Sequence, residues 1–315
     1  MTELLRLDNI SVNIPLGGGF LKPKVWLQAV NDVSLTVLRG ETLALVGESG
    51  SGKSTLGYVV AGLRRQSEGT VSFHGAPVDG EDGKRPVQVI FQDPFSALDP
   101  RMVVGEIVAE PLRLKGVPSE QRLARATEVL GQVGLPPEAA RRYPHQFSGG
   151  QRQRIAIARA LIADPEMLAA DEPLSALDVS IQSQVLNLLD DIKQEHGISY
   201  IFISHDLGVV RHLADRVAVL YLGRLMEVAS RDDLFVTPSH PYTQALLAAV
   251  PRIGKGRRKK EQILKGEIPS PLSPPSGCVF HTRCPRAEDI CRRERPALLP
   301  APRRPTQLSA CHFKD

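Results

Sequence analysis

With 315 residues, 42% apolar side chains and a formal charge of +4, the chain holds enough apolar material for one large domain or two modest ones, and its charge alone implies no nucleic-acid partner. No apolar run approaches the ~18 to 20 residues that a membrane span needs, and MTELLRLDNI lacks the basic and apolar segments of a secretory leader. A soluble, non-secreted chain is expected, one that reaches any membrane function through partner subunits.

Residues 3 to 14 and 29 to 38 are rich in Val, Ile and Leu and alternate in places, which predicts two strands separated by the looped segment LGGGFLKPKVW. LALV at 43 to 46 is a short buried strand that runs into GESGSGKS, and STLGYVVAGL after it has helical spacing. From Asp93 to Tyr143 the pattern turns helical and charged, which predicts an inserted helical subdomain at about 93–150. Sheet patterns return at MLAAD, YIFIS and RVAVLYLG, separated by the helical IQSQVLNLLDDIKQEHG, and this alternation predicts a largely parallel, covered sheet. Near residue 236 the composition changes: twelve of the 25 prolines and all four cysteines lie beyond it. The chain therefore divides into residues 1–235 and an irregular extension, 236–315, with a short helix at YTQALLAAV. A basic cluster, Arg252, Lys255, Arg257, Arg258, Lys259 and Lys260, reads as a solvated linker or as a contact for anionic headgroups.

GESGSGKS fits GxxxxGK[ST] through Gly47, Gly52, Lys53 and Ser54. In such a loop, glycines let backbone N–H groups wrap phosphates, the lysine reaches the β and γ groups, and the hydroxyl takes Mg²⁺. The expected nucleotide contacts are Gly47, Glu48, Ser49, Gly50, Ser51, Gly52, Lys53, Ser54 and Thr55. A magnesium-bound triphosphate also needs an acidic strand end, and MLAADEP supplies Asp171 for the metal with Glu172 beside it to polarise the attacking water. Gln92, after VQVIF, is placed to touch metal and water, and His205, after YIFIS, to contact the γ-phosphate; His145 is structural or of unassigned role. The turn FSGGQRQR at 147–154 opens a helix, and its hydroxyl, amides and helix N-terminus suit an anionic phosphate. It makes sense if it reaches nucleotide held by another copy of the fold, which predicts an ATPase working in pairs.

Cys278, Cys284, Cys291 and Cys311 are separated by five, six and nineteen residues. Such confinement points to a shared ligand, and a chain expected to be cytosolic argues against disulfides. Four thiolates suit zinc, yet the spacings exceed those of structural zinc motifs and also miss the ferredoxin run, so the residues alone do not name the metal.

With GESGSGKS, Gln92, FSGGQ, LAADEP, SALD and SHD in this order, the chain resembles ATP-binding-cassette ATPases. The resemblance implies an α/β P-loop NTPase (RecA-like) core with an N-terminal antiparallel β subdomain, an inserted helical subdomain and a small irregular C-terminal extension. In that family two cassettes close head to tail, so Ser148, Gly149, Gly150 and Gln151 would cap the partner's γ-phosphate, and Asp178 would lie across the interface. An aromatic residue from the first loop usually stacks on adenine. Trp26 is the favoured candidate and Phe20 the other.

Narrower segments, FQDPFSALDPRMVVGEIVAEPL, DEPLSALDVSIQSQVLNLL, HPYTQALLAAVP and the cysteine-bearing tail, resemble the ATP-binding subunits of dipeptide and oligopeptide importers. The insertion before residue 29 and DPRM at 99–102 fit the F-type subunit. The resemblance implies hydrolysis of ATP with Mg²⁺ at the cytoplasmic face of the cell membrane. It also implies a heterodimer with a D-type cassette, two transmembrane permease subunits and an extracytoplasmic peptide-binding protein, and no nucleic acid. The permeases would press helices into a groove near residues 92 to 115, with Phe95, Met102 and Val103 as candidates. In such tails the cysteines can hold a [4Fe–4S] cluster, so the resemblance favours iron and sulfur over zinc here. Competing readings keep the fold but change the cargo to nickel, glutathione or an oligosaccharide, or assign a cassette of translation or DNA repair.

Overall fold

The structure, a computed structural model, describes residues 2–17, 25–78, 85–250, 266–302 and 304–314. Phe20 and the basic cluster from Arg252 to Lys260 lie outside them. The chain forms two compact units, Met1–Gly83 with Ser204–Asp315, and Lys84–Ile203.

The first unit opens with β1 (Glu3–Leu16) and β2 (Val25–Leu38), an antiparallel pair in which Leu7 faces Leu35 and Pro15 faces Trp26. Next come β3 (Thr42–Val46), α1 (Lys53–Val60), β4 (Glu68–Phe73) and the short β5 (Ala76–Pro77). β4 pairs with the other edge of β1, and β5 with β4, giving the expected N-terminal antiparallel sheet. Every residue of β3 is buried, the pattern of a strand covered on both faces.

The second unit contains β6 (Val87–Ile90), α2 (Pro94–Ala97), α3 (Val104–Leu114), α4 (Ser119–Gln132), α5 (Gly149–Leu161), β7 (Met167–Asp171), α6 (Val179–His196) and β8 (Ser199–Ile203). The strands lie parallel in the order β6, β7, β8. β7 is buried throughout, as its small Ala169 and Ala170 suggest. The charged segment after Asp93 is helical because its apolar residues recur on one face: α3 buries Val104, Ile107 and Val108, and α4 buries Ala126, Val129 and Leu130.

The chain then returns to the first unit with α7 (Leu207–Leu213), β9 (Arg216–Tyr221), β10 (Arg224–Ser230), α8 (Arg231–Val236), α9 (Pro241–Ala249), α10 (Asp289–Arg293), β11 (Leu299–Ala301) and β12 (Arg304–Ser309). β9 lies parallel to β3, with Val219 opposite Val46. β10, β12 and β11 follow antiparallel, so the proline-rich extension ends as a hairpin paired onto β10, with Glu227 opposite Ser309. One apolar cluster joins β3 and β9 to Tyr242 of α9 and to Val279 and Phe280 of the extension. Among the described residues no helix is long and apolar enough to cross a membrane.

Candidate functional site

The phosphate loop lies between β3 and α1. A Cβ at Gly47 (φ 151°) would sit 2.2 Å from the Leu220 carbonyl oxygen, and one at Gly52 (φ 101°) 2.3 Å from that of Ala29, so only glycine permits this close backbone path. Gly52 stands at the N-cap of α1 and offers no side chain to the first-turn N–H groups, which leaves them to an anion. Lys53 is buried, and its ammonium donates to the carbonyls of Gly47 (2.8 Å) and Glu48 (2.9 Å). The loop thus carries a desolvated cation, which bonds more strongly to phosphate oxygens than a hydrated one would. Ser51 is buried, while Ser54 and Thr55 are partly exposed on α1.

His205 belongs to the same unit. The Ser204 N–H donates to the Leu45 carbonyl (3.2 Å), and the Asp206 carboxylate caps α7 by accepting from the Gly208 N–H (2.7 Å). The exposed His205 is thereby held between a bond to β3 and a capped helix. Trp26 is half exposed on β2.

The acidic pair and Gln92 are in the second unit. Asp171 ends β7 buried, 3% exposed. Glu172 has a φ of 45°, a left-handed conformation that a non-glycine residue adopts at some cost. It is held there by its N–H, which donates to the Ile203 carbonyl (3.0 Å), and by its carbonyl, which accepts from the Ser175 hydroxyl (3.0 Å). The Gln92 amide donates to the Glu172 carboxylate at 3.2 Å, so the structure brings these two expected residues together.

In the same unit, Ser148 caps α5. Its hydroxyl accepts from the Gln151 N–H (3.4 Å) while the Gln151 side chain accepts from the Ser148 N–H (3.1 Å). Both residues are exposed. A Cβ at Gly150 would lie 2.5 Å from Ile181 Cγ2, so this glycine is also what lets α5 meet α6. Asp178 is exposed at the N-cap of α6 without using its carboxylate as a cap. Phe95 is exposed under the Arg152 guanidinium, and Met102 and Val103 are partly buried.

The four cysteines are free thiols lining one small cavity with His240, Phe280, His281 and Phe313. Gly277 is pressed against the Cys291 carbonyl, and the Cys278 N–H donates to that carbonyl at 2.8 Å. Burial pushes the Cys278 thiol up to about 11, and it raises Cys284 and Cys311 as well. Opposing this, the backbone N–H groups of Phe280, Arg286 and Phe313 each bond to the cysteine two residues earlier. Such donors favour thiolate, whereas the cavity disfavours it unless a cation shares the space. Among the described residues, no group of three or more His, Cys, Asp or Glu side chains is arranged to hold a metal ion.

Reasoning from sequence missed what anchors this extension. Buried Glu227 accepts from the Ser239 and His240 N–H groups (2.9 Å each) and from the Gln307 amide (2.6 Å), tying β10 to α9 and β12. A carboxylate flanked by apolar residues in the middle of a strand, LMEVA within RLMEVAS, was the available signal.

The fold and loop define a P-loop nucleotide-binding protein of the cassette class. The family profile described as ABC transporter matches residues 30–175, and that described as the C-terminal region of oligopeptide/dipeptide transporters matches 226–291. The chain is 47% identical to the oligopeptide transport ATP-binding protein AppF of Bacillus subtilis, over 98% of this chain and 97% of that one. It is 46% identical to the dipeptide transport ATP-binding protein DppF of Escherichia coli, over 94% and 90%. Among solved structures it is similar to the dimeric post-hydrolysis cassette MJ0796 bound to ADP and Pi (TM-score 0.63, 30% identity, 72% of this chain and 99% of that one). It is also similar to cbiO1 of Clostridium perfringens, part of the transporter complex cbiONQ (0.64, 26%, 75% and 92%). The chain belongs to the family of ABC transporter ATP-binding proteins, ATPases, in the branch with the oligopeptide/dipeptide C-terminal region.

Proposed function

We propose that this chain is the ATP-hydrolysing subunit of an importer of dipeptides or oligopeptides. The observation that carries the reading is one chain with both the complete cassette motif set and the peptide-transporter C-terminal region, similar from end to end to AppF. The division into a cassette, 1–235, with a helical insertion at about 93–150, and an extension, 236–315, is part of the same reading.

In the reaction, Lys53 and the loop amides bind the β- and γ-phosphates, and Trp26 stacks on adenine. Ser54, Asp171 and Gln92 are the residues that would hold Mg²⁺, which supplies neutralisation of the phosphate charge when bound. Glu172 accepts a hydrogen bond from the attacking water and polarises it, Gln92 orients that carboxylate, and His205 bonds the γ-phosphate. The water attacks the γ-phosphorus, the bond to the β–γ bridging oxygen breaks, and ADP and phosphate leave. Exposure of Ser148, Gln151 and Asp178 supports their use across an interface with a D-type cassette. Phe95, Met102 and Val103 would receive helices of two permease subunits at the cytoplasmic face of the membrane, and an extracytoplasmic binding protein would deliver peptide.

The cysteine cavity would hold a [4Fe–4S] cluster. Four thiols around one cavity, with N–H donors to three, support a multi-ligand centre. Cys278, Cys284, Cys291 and Cys311 are the residues that would hold it as thiolates. The centre would staple an extension with little core of its own.

Purification of the tagged chain from native membranes in mild detergent tests the assignment. Recovery with integral membrane subunits and a second cassette is expected. Recovery with ribosomes or DNA, and without membrane subunits, would overturn it.

A further inference from the structure

Glu48, the second residue of the phosphate loop, is held by the C-terminal extension. Arg283, which immediately precedes Cys284, donates from both guanidinium nitrogens to its carboxylate, Nη1 to Oε2 at 2.6 Å and Nη2 to Oε1 at 3.0 Å. The Arg283 side chain is only 6% exposed and that of Glu48 24%, so little water screens the pair. The Glu48 N–H donates to the Tyr242 hydroxyl (3.0 Å), and its carbonyl accepts from Lys53 (2.9 Å). Side chain, amide and carbonyl of one loop residue are thus all engaged, two of them by residues beyond 236.

The anchors are themselves fixed. Tyr242 is fully buried and packs against Tyr221 (centroids 4.8 Å apart) and Phe280 (5.2 Å). Arg283 also reaches the Tyr221 hydroxyl at 3.4 Å. Phe280 lies between Cys278 and Arg283, so the loop that bears two of the cysteines is the one that grips the phosphate loop.

A carboxylate in a loop that takes up a polyanion repels its ligand unless it is neutralised. A bidentate guanidinium does this and also fixes the side chain, which a lysine would do less well. We propose that Arg283 and Tyr242 are positioning residues for the nucleotide: the extension cancels the Glu48 charge and holds the phosphate loop in its binding shape. Disturbing the cysteine-bearing loop therefore weakens nucleotide binding, and bound nucleotide stabilises that loop to the same degree. The inference rests on the loop binding nucleotide, and binding of MgADP by the wild-type chain is the control that separates the two failures.

The test is MgADP affinity by calorimetry, with KM and kcat for ATP, on the whole chain purified without oxygen. Arg283→Gln is expected to weaken MgADP at least tenfold and raise KM similarly while kcat stays within about twofold. Arg283→Lys should recover part of the loss. The double variant Glu48→Gln with Arg283→Gln should bind at least threefold more tightly than Arg283→Gln alone, because the unpaired carboxylate is gone. A general folding defect would instead lower kcat in every variant and show no such rescue. Should the Arg283 variants fail to fold, Tyr242→Phe removes one hydroxyl from the loop and is expected to weaken MgADP at least threefold. Wild-type affinity in Arg283→Gln or, in its place, in Tyr242→Phe, a fall in kcat without a rise in KM, or a double variant no better than Arg283→Gln would overturn the proposal.

Discussion

The Gln92 side-chain amide donates to the Glu172 carboxylate at 3.2 Å, across eighty residues of chain. The glutamine thereby fixes a carboxylate whose backbone already adopts an uncommon left-handed turn. Glu172→Gln keeps the volume but weakens the acceptor. ATP binding is expected to survive and phosphate release to fall at least ~100-fold, the scale for removal of a catalytic base. Single-turnover release with radiolabelled ATP measures this, and near-normal hydrolysis would remove Glu172 from the role.

Gly150 has a packing duty besides the phosphate-capping role proposed for its turn. A methyl group there would meet a methyl of β-branched Ile181, which has little rotamer freedom on a helix. Gly150→Ala is expected to cost about 1 to 3 kcal/mol by overpacking. Ile181→Ala in the same chain should return part of that loss, and chemical denaturation of the three proteins decides the matter.

Glu227 holds the extension to the cassette through three donors. Glu227→Ala leaves the Ser239 and His240 amides and the Gln307 side chain short of an acceptor, which should cost about 2 to 4 kcal/mol. Limited proteolysis is expected to release fragments beyond residue 236 before the remainder is cut. Uniform cleavage would show that the glutamate does not act locally.

Much of the cassette was legible because its residues act near their neighbours. The LALV strand, the phosphate loop and the following helix are contiguous, and MLAAD announces both a buried strand and its acidic end. The extension was read as irregular, yet it contributes β11 and β12 to the sheet. Three- and six-residue strands that contain prolines carry a weak alternation pattern, and the pairing of β12 with β10 joins residues about eighty positions apart. The Arg283–Glu48 pair spans 235 positions, and nothing in the sequence around either residue points to the other. The cysteines were visible as a group, whereas the backbone donors that serve three of them required the fold.

The cysteine cavity yields a compositional prediction. Protein purified without oxygen should contain about four irons and four acid-labile sulfides per chain, and Cys278→Ser should lose both. Zinc without sulfide would make the extension a structural zinc module, and absence of both would leave the four thiols as reduced packing residues.

The most direct test of the central claim is uptake of a radiolabelled dipeptide and a longer peptide by source cells lacking this chain. Wild-type protein supplied in trans is expected to restore uptake of at least one of the two, and Glu172→Gln to restore neither. Peptide uptake that is unchanged by loss of the chain, or restored equally by the Glu172→Gln protein, would contradict the assignment of this ATPase to peptide import.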